Sequence, residues 1–373
     1  FKQEVFGSGE KYPDVNVAVD QSFDKGNLIF DYLGHGGQSG MAHERVVTRP
    51  QISAWTNKDK LPLIVTATCE LSRYDDPAQA SPGELMLFNE HGGGIALITT
   101  SRLVYLGLNK DLNVAVFDKN IFEITDNNWP TLGEVYKNSK NNSARAENQR
   151  NFILLGDPAL VLNYPRGGII TTKINQVATG NSQDTLKALE AVSIEGEVLT
   201  PSGAFDSTFN GTLYPTVYDK FLTYKTLGND QESQPAEYKL QNSVLHRGKV
   251  SAINGKFSFS FVVPKDIAYQ YGFGKISYYA DNQERDAGGY FNDFYIGGTS
   301  KETAIDTTPP SIQLFMEDET FKFGDMVSNK PLLLAKVFDF NGINTVGNGI
   351  GRDITAILDR GTENEKLIIL NDF

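Results

Sequence analysis

Two residue types in this chain can make a covalent-catalysis pair, one thiol and one imidazole. The thiol is Cys69, the only cysteine, at the end of LPLIVTATCE. The imidazole is His35, in GNLIFDYLGHGG. A thiolate is the nucleophilic form of cysteine, and a nearby imidazole lowers the thiol pKa and later protonates a leaving amine. The backbone N–H groups of Gly36 and Cys69 are candidates for an oxyanion hole, because glycine lets a reacting oxygen approach closely. Gly37, Glu70, Ser101 and Arg102 are candidates to line a substrate pocket. Against this stands a plainer reading, since a lone cysteine after an apolar strand is often a small buried hydrophobe. The two residues at like ends of neighbouring strands favour the catalytic reading.

Other residues compete for these roles. His91-Gly92 looks like His35-Gly36 but precedes its strand, which puts it on the opposite rim of a sheet from Cys69. His43 lies eight residues past His35 and is a weaker alternative base; His246 reads as a surface residue of a β region. Glu70 follows Cys69 directly, and adjacent side chains diverge, so a structural contact is expected for it. Asp75 and Asp76 read as a solvated acidic turn, with cation binding as the sharper alternative.

Positioning such a pair requires strands. Leu28, Ile29, Phe30, Tyr32 and Leu33 read as one buried strand, Leu63 to Ala67 as a second and Ile95 to Thr99 as a third. Near-continuous apolar runs are the mark of parallel strands covered on both faces. In an open α/β sheet, ligands sit beyond the carboxyl ends of the strands, where His35 and Cys69 both fall. Helices are expected around Val15 to Ser22, from Arg49 to Trp55, from Glu84 to Asn89, from Leu112 to Ile124 and from Leu132 to Ser139. Ser81 with Pro82 reads as an N-cap followed by proline at the first helical position, and Leu85, Leu87 and Phe88 as the face packed on the sheet. NFILLGDPALVL reads as a turn between apolar runs.

From Gly168 the texture becomes alternating and β-rich. Asn254-Gly255 between two strand patterns is a strong hairpin signal. The whole predicts an α/β parallel-sheet domain over 1–166, an antiparallel immunoglobulin-like β-sandwich over 167–300, a linker over 301–310, and the start of a further β-rich domain over 311–373. The chain reads as a fragment, cut at both ends, of a longer protein.

Composition narrows the function classes. A net charge of −12 argues against nucleic-acid binding, because phosphate repels such a surface. One cysteine excludes an internal disulfide framework, and with four scattered histidines neither a metal nor a cofactor is called for. No apolar run reaches the roughly 18 residues of a spanning helix.

GHGG after one strand and TATCE after the next, with GGGIALITTSR, LLGDPALVL and a following β-sandwich, resemble the gingipain family of caspase-like cysteine peptidases. With DTTPPSIQLFMED and GINTVGNGIGRDI, nearly the whole chain resembles the carboxyl half of the family's signal-peptidase branch, found in the type IX secretion system of the Bacteroidetes. The resemblance implies a caspase-like fold lacking its first strands. It implies an outer-membrane-associated cell-surface endopeptidase that removes the carboxy-terminal sorting domain of exported cargo. It also implies sortase-like transfer of the acyl-enzyme to an amine on anionic lipopolysaccharide, with the outer-membrane barrel protein PorV as partner. Carried over, Cys69 is the nucleophile, His35 the general acid/base, and the Gly36 and Cys69 amides the oxyanion hole. The family's third, acidic residue lies upstream of the histidine, outside this sequence. A secreted protease of broader specificity and a non-catalytic adhesion or scaffold module are the alternatives.

Overall fold

The structure is a computed structural model. It describes all residues except 1, 2, 7, 8, 126, 127, 145, 146, 181–184, 229–232, 266, 268, 269, 301–308, 330, 339–354, 363, 364 and 370–373. Most of the expected linker and the GINTVGNGIGRDI segment lie outside the described residues. The chain divides into two units, Phe1–Tyr164 and Pro165–Phe373.

The first unit opens with a hairpin of β1 (Glu4–Phe6) and β2 (Gly9–Lys11) and then α1 (Pro13–Lys25). Pro13 suits a first helical turn because its missing N–H has no intrahelical acceptor to serve. Next come β3 (Ile29–Leu33), a small meander of β4 (Gly36–Gly37), β5 (Gly40–Met41) and β6 (Val47–Thr48), and α2 (Arg49–Ala54). They are followed by β7 (Leu63–Ala67), α3 (Pro82–Phe88) and β8 (Ala96–Thr100). Then α4 (Leu106–Phe117), α5 (Leu132–Asn142), α6 (Glu147–Asn151) and β9 (Phe152–Leu155) complete the unit. The main sheet runs β3-β7-β8-β9, the first three parallel and β9 antiparallel to β8.

Strand alternation explains the layering. Leu63, Val65, Ala67, Ala96 and Ile98 pack in one core with Leu112, Val116, Leu132 and Val135 from α4 and α5. Ile64 and Leu97 point the other way, into a second core with Phe23, Ile52 and Met86 from α1 to α3 and Trp55 just past α2. Both faces of β7 and β8 are therefore covered, and every residue of the two strands is buried.

Several expectations need correction. β3 is not a buried strand: it lies at the end of the sheet order, and Asp31, Leu33 and the preceding Leu28 are exposed. α3 buries Met86 and packs half-buried Leu85 and Leu87 against the second core, but leaves Phe88 73 % exposed, because residues 85, 87 and 88 do not share one face of a helix with about 3.6 residues per turn. α4 begins six residues earlier than its spacing predicted and ends at Phe117; Ile121 joins the core from the turn beyond it. The turn expected in NFILLGDPALVL does fall at Gly156 and Asp157, and the apolar run before it is the strand β9, Phe152–Leu155.

The second unit is built of strands. One sheet follows the path Val244–Arg247, Gly211–Tyr218, Lys275–Asp281, Asp286–Phe291, Gly167–Ile174, Ala191–Leu199, Lys256–Val262. A smaller one joins Thr185–Ala188, Tyr295–Thr299 and Gly272–Phe273. One apolar cluster, including Ile194, Phe209, Leu213, Ile276 and Phe294, fills the interior. Pairing is not purely antiparallel: Gly167–Ile174 runs parallel to Asp286–Phe291, and Thr185–Ala188 to Tyr295–Thr299. These partners are far apart in sequence, so no tight hairpin forces them antiparallel. Asn254 and Gly255 both take positive φ, and Ile253 and Lys256 exchange hydrogen bonds across them, the geometry of a two-residue hairpin turn.

His246 is not a surface residue. Its ring is half-buried and stacks on Phe259 and Phe261, at centroid distances of 5.5 and 4.9 Å. Its strand and theirs are the two ends of the sheet path, so the sheet curls until its ends face each other. Beyond it, Ser311–Met316 pairs with Leu333–Phe338, and Thr355–Leu358 with Lys366–Ile369.

Candidate active site

The parallel register sets the level of the two candidate residues. Leu33 pairs with Ala67, so His35 and Cys69 each stand two residues beyond a matched pair at the carboxyl ends of adjacent strands. The Gly34 N–H donates to the Ala67 carbonyl at 3.3 Å, extending the pairing past the strand ends. Gly36 then lies against Thr68: a Cβ placed on it would stand 2.3 Å from the Thr68 Oγ1 and 3.2 Å from the Gly40 carbonyl oxygen. Any side chain at 36 would push the His35 loop off the Cys69 strand. Gly37 is different, since a Cβ there would meet open space.

The His35 carbonyl is held twice, by the Ala42 N–H at 2.7 Å and the Tyr32 hydroxyl at 2.7 Å. Burial, aided by the Glu44 charge, pushes the Tyr32 hydroxyl up to about 12, so it keeps its proton and donates across the neutral range. The exposed His35 ring stacks on His43, with centroids 4.7 Å apart and planes 17° from parallel. Sequence spacing left His43 as a distant alternative; the β4–β5 hairpin folds it back onto His35.

Cys69 is half-buried, and its thiol donates to the Val104 carbonyl at 3.6 Å. The chain after it is bound to the end of β8. The Glu70 N–H donates to the Arg102 carbonyl at 3.3 Å, the Ser72 N–H to that of Thr100 at 2.9 Å, and the Thr100 hydroxyl to that of Thr68. Beneath lies a row of buried hydroxyls: Thr66 donates to Thr99 at 2.8 Å, and Thr99 and Ser72 are 2.9 Å apart. Glu70 takes a positive φ of 50°, uncommon for a non-glycine residue. Its carboxylate turns back to Arg73 at 3.6 Å, the structural contact its position predicted.

The remaining candidates are tied into the rim. The Ser101 N–H and hydroxyl both donate to the Asn151 carbonyl, at 2.8 and 3.3 Å. Exposed Arg102 forms a two-bond pair with Asp75, one contact at 2.9 Å, and this guanidinium holds the Asp75 carboxyl below its usual range. Asp76 accepts from the Gln38 amide at 3.2 Å, which joins the His35 loop to the Cys69 loop. Asp75 and Asp76 are thus paired individually, not pooled as a cation site. His91 is exposed, in the turn before β8, at the opposite end of that strand from Ser101.

Two asparagines that sequence reasoning missed hold the wall carrying Val104. Buried Asn148 accepts from the Tyr105 N–H at 3.0 Å and donates to the Tyr105 carbonyl at 2.8 Å; Asn151 donates to the Leu103 carbonyl at 2.8 Å. Leu103, Tyr105 and Leu106 are left exposed on that wall. No local pattern announces these amides, because their partners lie more than forty residues away.

Residues 1–163 match the model of Peptidase family C25. Among curated proteins nothing matches. Among solved structures, the chain is similar to dimeric latent PorU from Porphyromonas gingivalis, at 32% identity and TM-score 0.40, covering 76% of this chain and 27% of that one. It is also similar to the Arg-specific cysteine proteinase gingipain R (RgpB), at 13% identity and TM-score 0.37, covering 74% and 56%. A complex of Porphyromonas gingivalis RgpB pro- and mature domains matches at 12% identity and TM-score 0.37, covering 74% and 57%. The chain therefore spans about a quarter of the first of these and just over half of the other two. The family match carries furthest: residues 1–163 match peptidase family C25, the gingipain family of cysteine peptidases.

Proposed function

We propose that the parent protein is a cell-surface cysteine endopeptidase of the PorU type, with Cys69 as nucleophile and His35 as general acid/base. The observation that carries this is the shared register of two strands whose ends present a thiol and an imidazole at one level, within the C25 segment. The proposed pair requires the Cys69 side chain to rotate off the Val104 carbonyl and His35 to turn toward it.

In the proposed cycle the Cys69 thiol gives its proton to His35 as its sulfur attacks the scissile carbonyl carbon, and the displaced electron pair moves to the carbonyl oxygen. The Gly36 and Cys69 amides stabilise that oxyanion. Collapse breaks the C–N bond, the departing amine takes the proton held by His35, and a thioester remains. An incoming water or amine gives its proton to His35 as it attacks the thioester, and sulfur leaves. With water the outcome is removal of a carboxy-terminal sorting domain from exported cargo; with an amine on anionic lipopolysaccharide it is sortase-like transfer. Gly37, Glu70 and Arg102 are the nearest candidates to border the substrate, and PorV is the proposed outer-membrane partner. We read residues 167–300 as an immunoglobulin-like sandwich, 301–310 as a linker and 311–373 as the start of a further β domain. In support, two sheets enclose a single apolar core in the second unit.

The test is Cys69→Ala in the full-length parent, incubated with a sorting-domain cargo, with generic peptides and with an amine acceptor. Processing should stop while the melting temperature is kept. Normal processing by the variant would leave an adhesion or scaffold role. Equal cleavage of cargo and generic peptides would favour a broad secreted protease.

A further inference from the structure

We infer that His43 is a positioning residue for the His35 imidazole, an inference that rests on the proposed Cys69–His35 pair. Its ring lies nearly parallel to that of His35, 17° from coplanar at a 4.7 Å centroid distance. Both rings are exposed, so no surrounding core holds either in place. Stacking leaves the in-plane nitrogens of His35 free for proton transfer while restricting rotation of the ring. Proton transfer needs one of those nitrogens within hydrogen-bond reach of its partner.

The backbone supplies an independent reason to read the contact as built. In the β4–β5 hairpin Gly37 pairs with Gly40 and Gly36 with Met41, so residue 42 falls opposite His35, and the Ala42 N–H does donate to the His35 carbonyl at 2.7 Å. Regular pairing would continue past that point with His43 diagonal to His35 and on the opposite face. Instead the chain turns at Ala42, which takes a φ of +62° and whose carbonyl accepts from the Arg45 N–H at 3.2 Å, on the way from β5 to β6. That turn carries His43, whose ring lies on the ring of His35.

Cys69 is the one cysteine of the chain, so iodoacetamide labelling of the 373-residue protein reads this thiol alone, without any substrate. Labelling rates at neutral pH would be compared for the unaltered protein, His35→Ala, His43→Ala and His43→Phe. His35→Ala should slow labelling by losing the base that takes the thiol proton as sulfur attacks. His43→Ala should slow it about three- to tenfold, the scale of one lost ring contact, and His43→Phe should restore it to within about twofold. If the alanine variant fails to fold, His43→Gln takes its place. Labelling of His43→Ala at the unaltered rate, with His35→Ala slowed, overturns the positioning role and leaves the Cys69–His35 pair standing. A phenylalanine variant as slow as the alanine one also overturns it. An unaltered rate in His35→Ala removes the pair itself, and the role of His43 with it.

Discussion

Thr68, one residue before the candidate nucleophile, is fully buried, and its hydroxyl has no hydrogen-bond partner among the described residues. Its Oγ1 faces the backbone of Gly36. A buried hydroxyl without a partner costs on the order of 1–3 kcal/mol. Thr68→Val keeps the branched shape and removes the polar atom. We expect stability to be unchanged or raised by up to about 1 kcal/mol in denaturant titration, with Cys69 labelling unaffected. A loss of stability would mean that the hydroxyl serves a bond in solution. At this scale the places of Cys69, His35 and Gly36 just past two strand ends were legible, because each is a rare or permissive residue at the end of an apolar run. His43 and Tyr32 were not, because what they do depends on the fold of a hairpin rather than on their own type.

At the scale of elements, the local signals were the reliable ones. The expected N-cap forms at Ser81, and Glu84 closes it into a box: Glu84 Oε2 accepts from the Ser81 N–H and hydroxyl at 2.7 Å each, and the Glu84 N–H donates to Ser81 Oγ at 3.3 Å. Thr48 with Gln51 and Thr131 with Glu134 form the same device. The loop between β8 and α4 is a different kind of element, held by side-chain amides from α6. Asn148→Ala would leave the Tyr105 N–H and carbonyl without that partner, and Asn109 loses a 2.9 Å bond as well. We expect a cost of about 2–4 kcal/mol, from two or more broken buried bonds. Hydrogen exchange should rise over residues 101–106 before it rises in β7 or β8, and unchanged exchange there would contradict the clamp.

For the molecule as a whole, acid sensitivity should have a marked contribution from the second unit. Burial against Phe259 and Phe261 pushes the His246 imidazole down from its ordinary 6.5 to about 4. Between these values the unfolded chain takes up a proton that the folded one refuses. The stabilisation is therefore complete above pH 6.5 and drains away as pH falls toward 4. Its size is on the order of 3 kcal/mol. Melting curves from pH 7.5 to 4 should fall less steeply for His246→Phe than for the unaltered protein. Parallel curves would show that the ring titrates normally. The composition that argued against a nucleic-acid partner gave no hint of this group, since a histidine on a strand looks the same whether its sheet is flat or curled.

What the amino-acid sequence decided by itself is what depends on chain neighbours: apolar runs of strand length, helix caps, the Asn254-Gly255 turn, and the change of texture near Pro165 where the two units divide. It also brought His35 and Cys69 to like positions past two strand ends. Tertiary structure decided which strand lies at the sheet edge, that the Cys69 thiol meets Val104, that His43 backs His35, and that two strand pairs of the second unit run parallel. Each of these joins segments whose meeting depends on how loops close and sheets curl. That free energy is shared over many distant contacts and is written in no single stretch of residues.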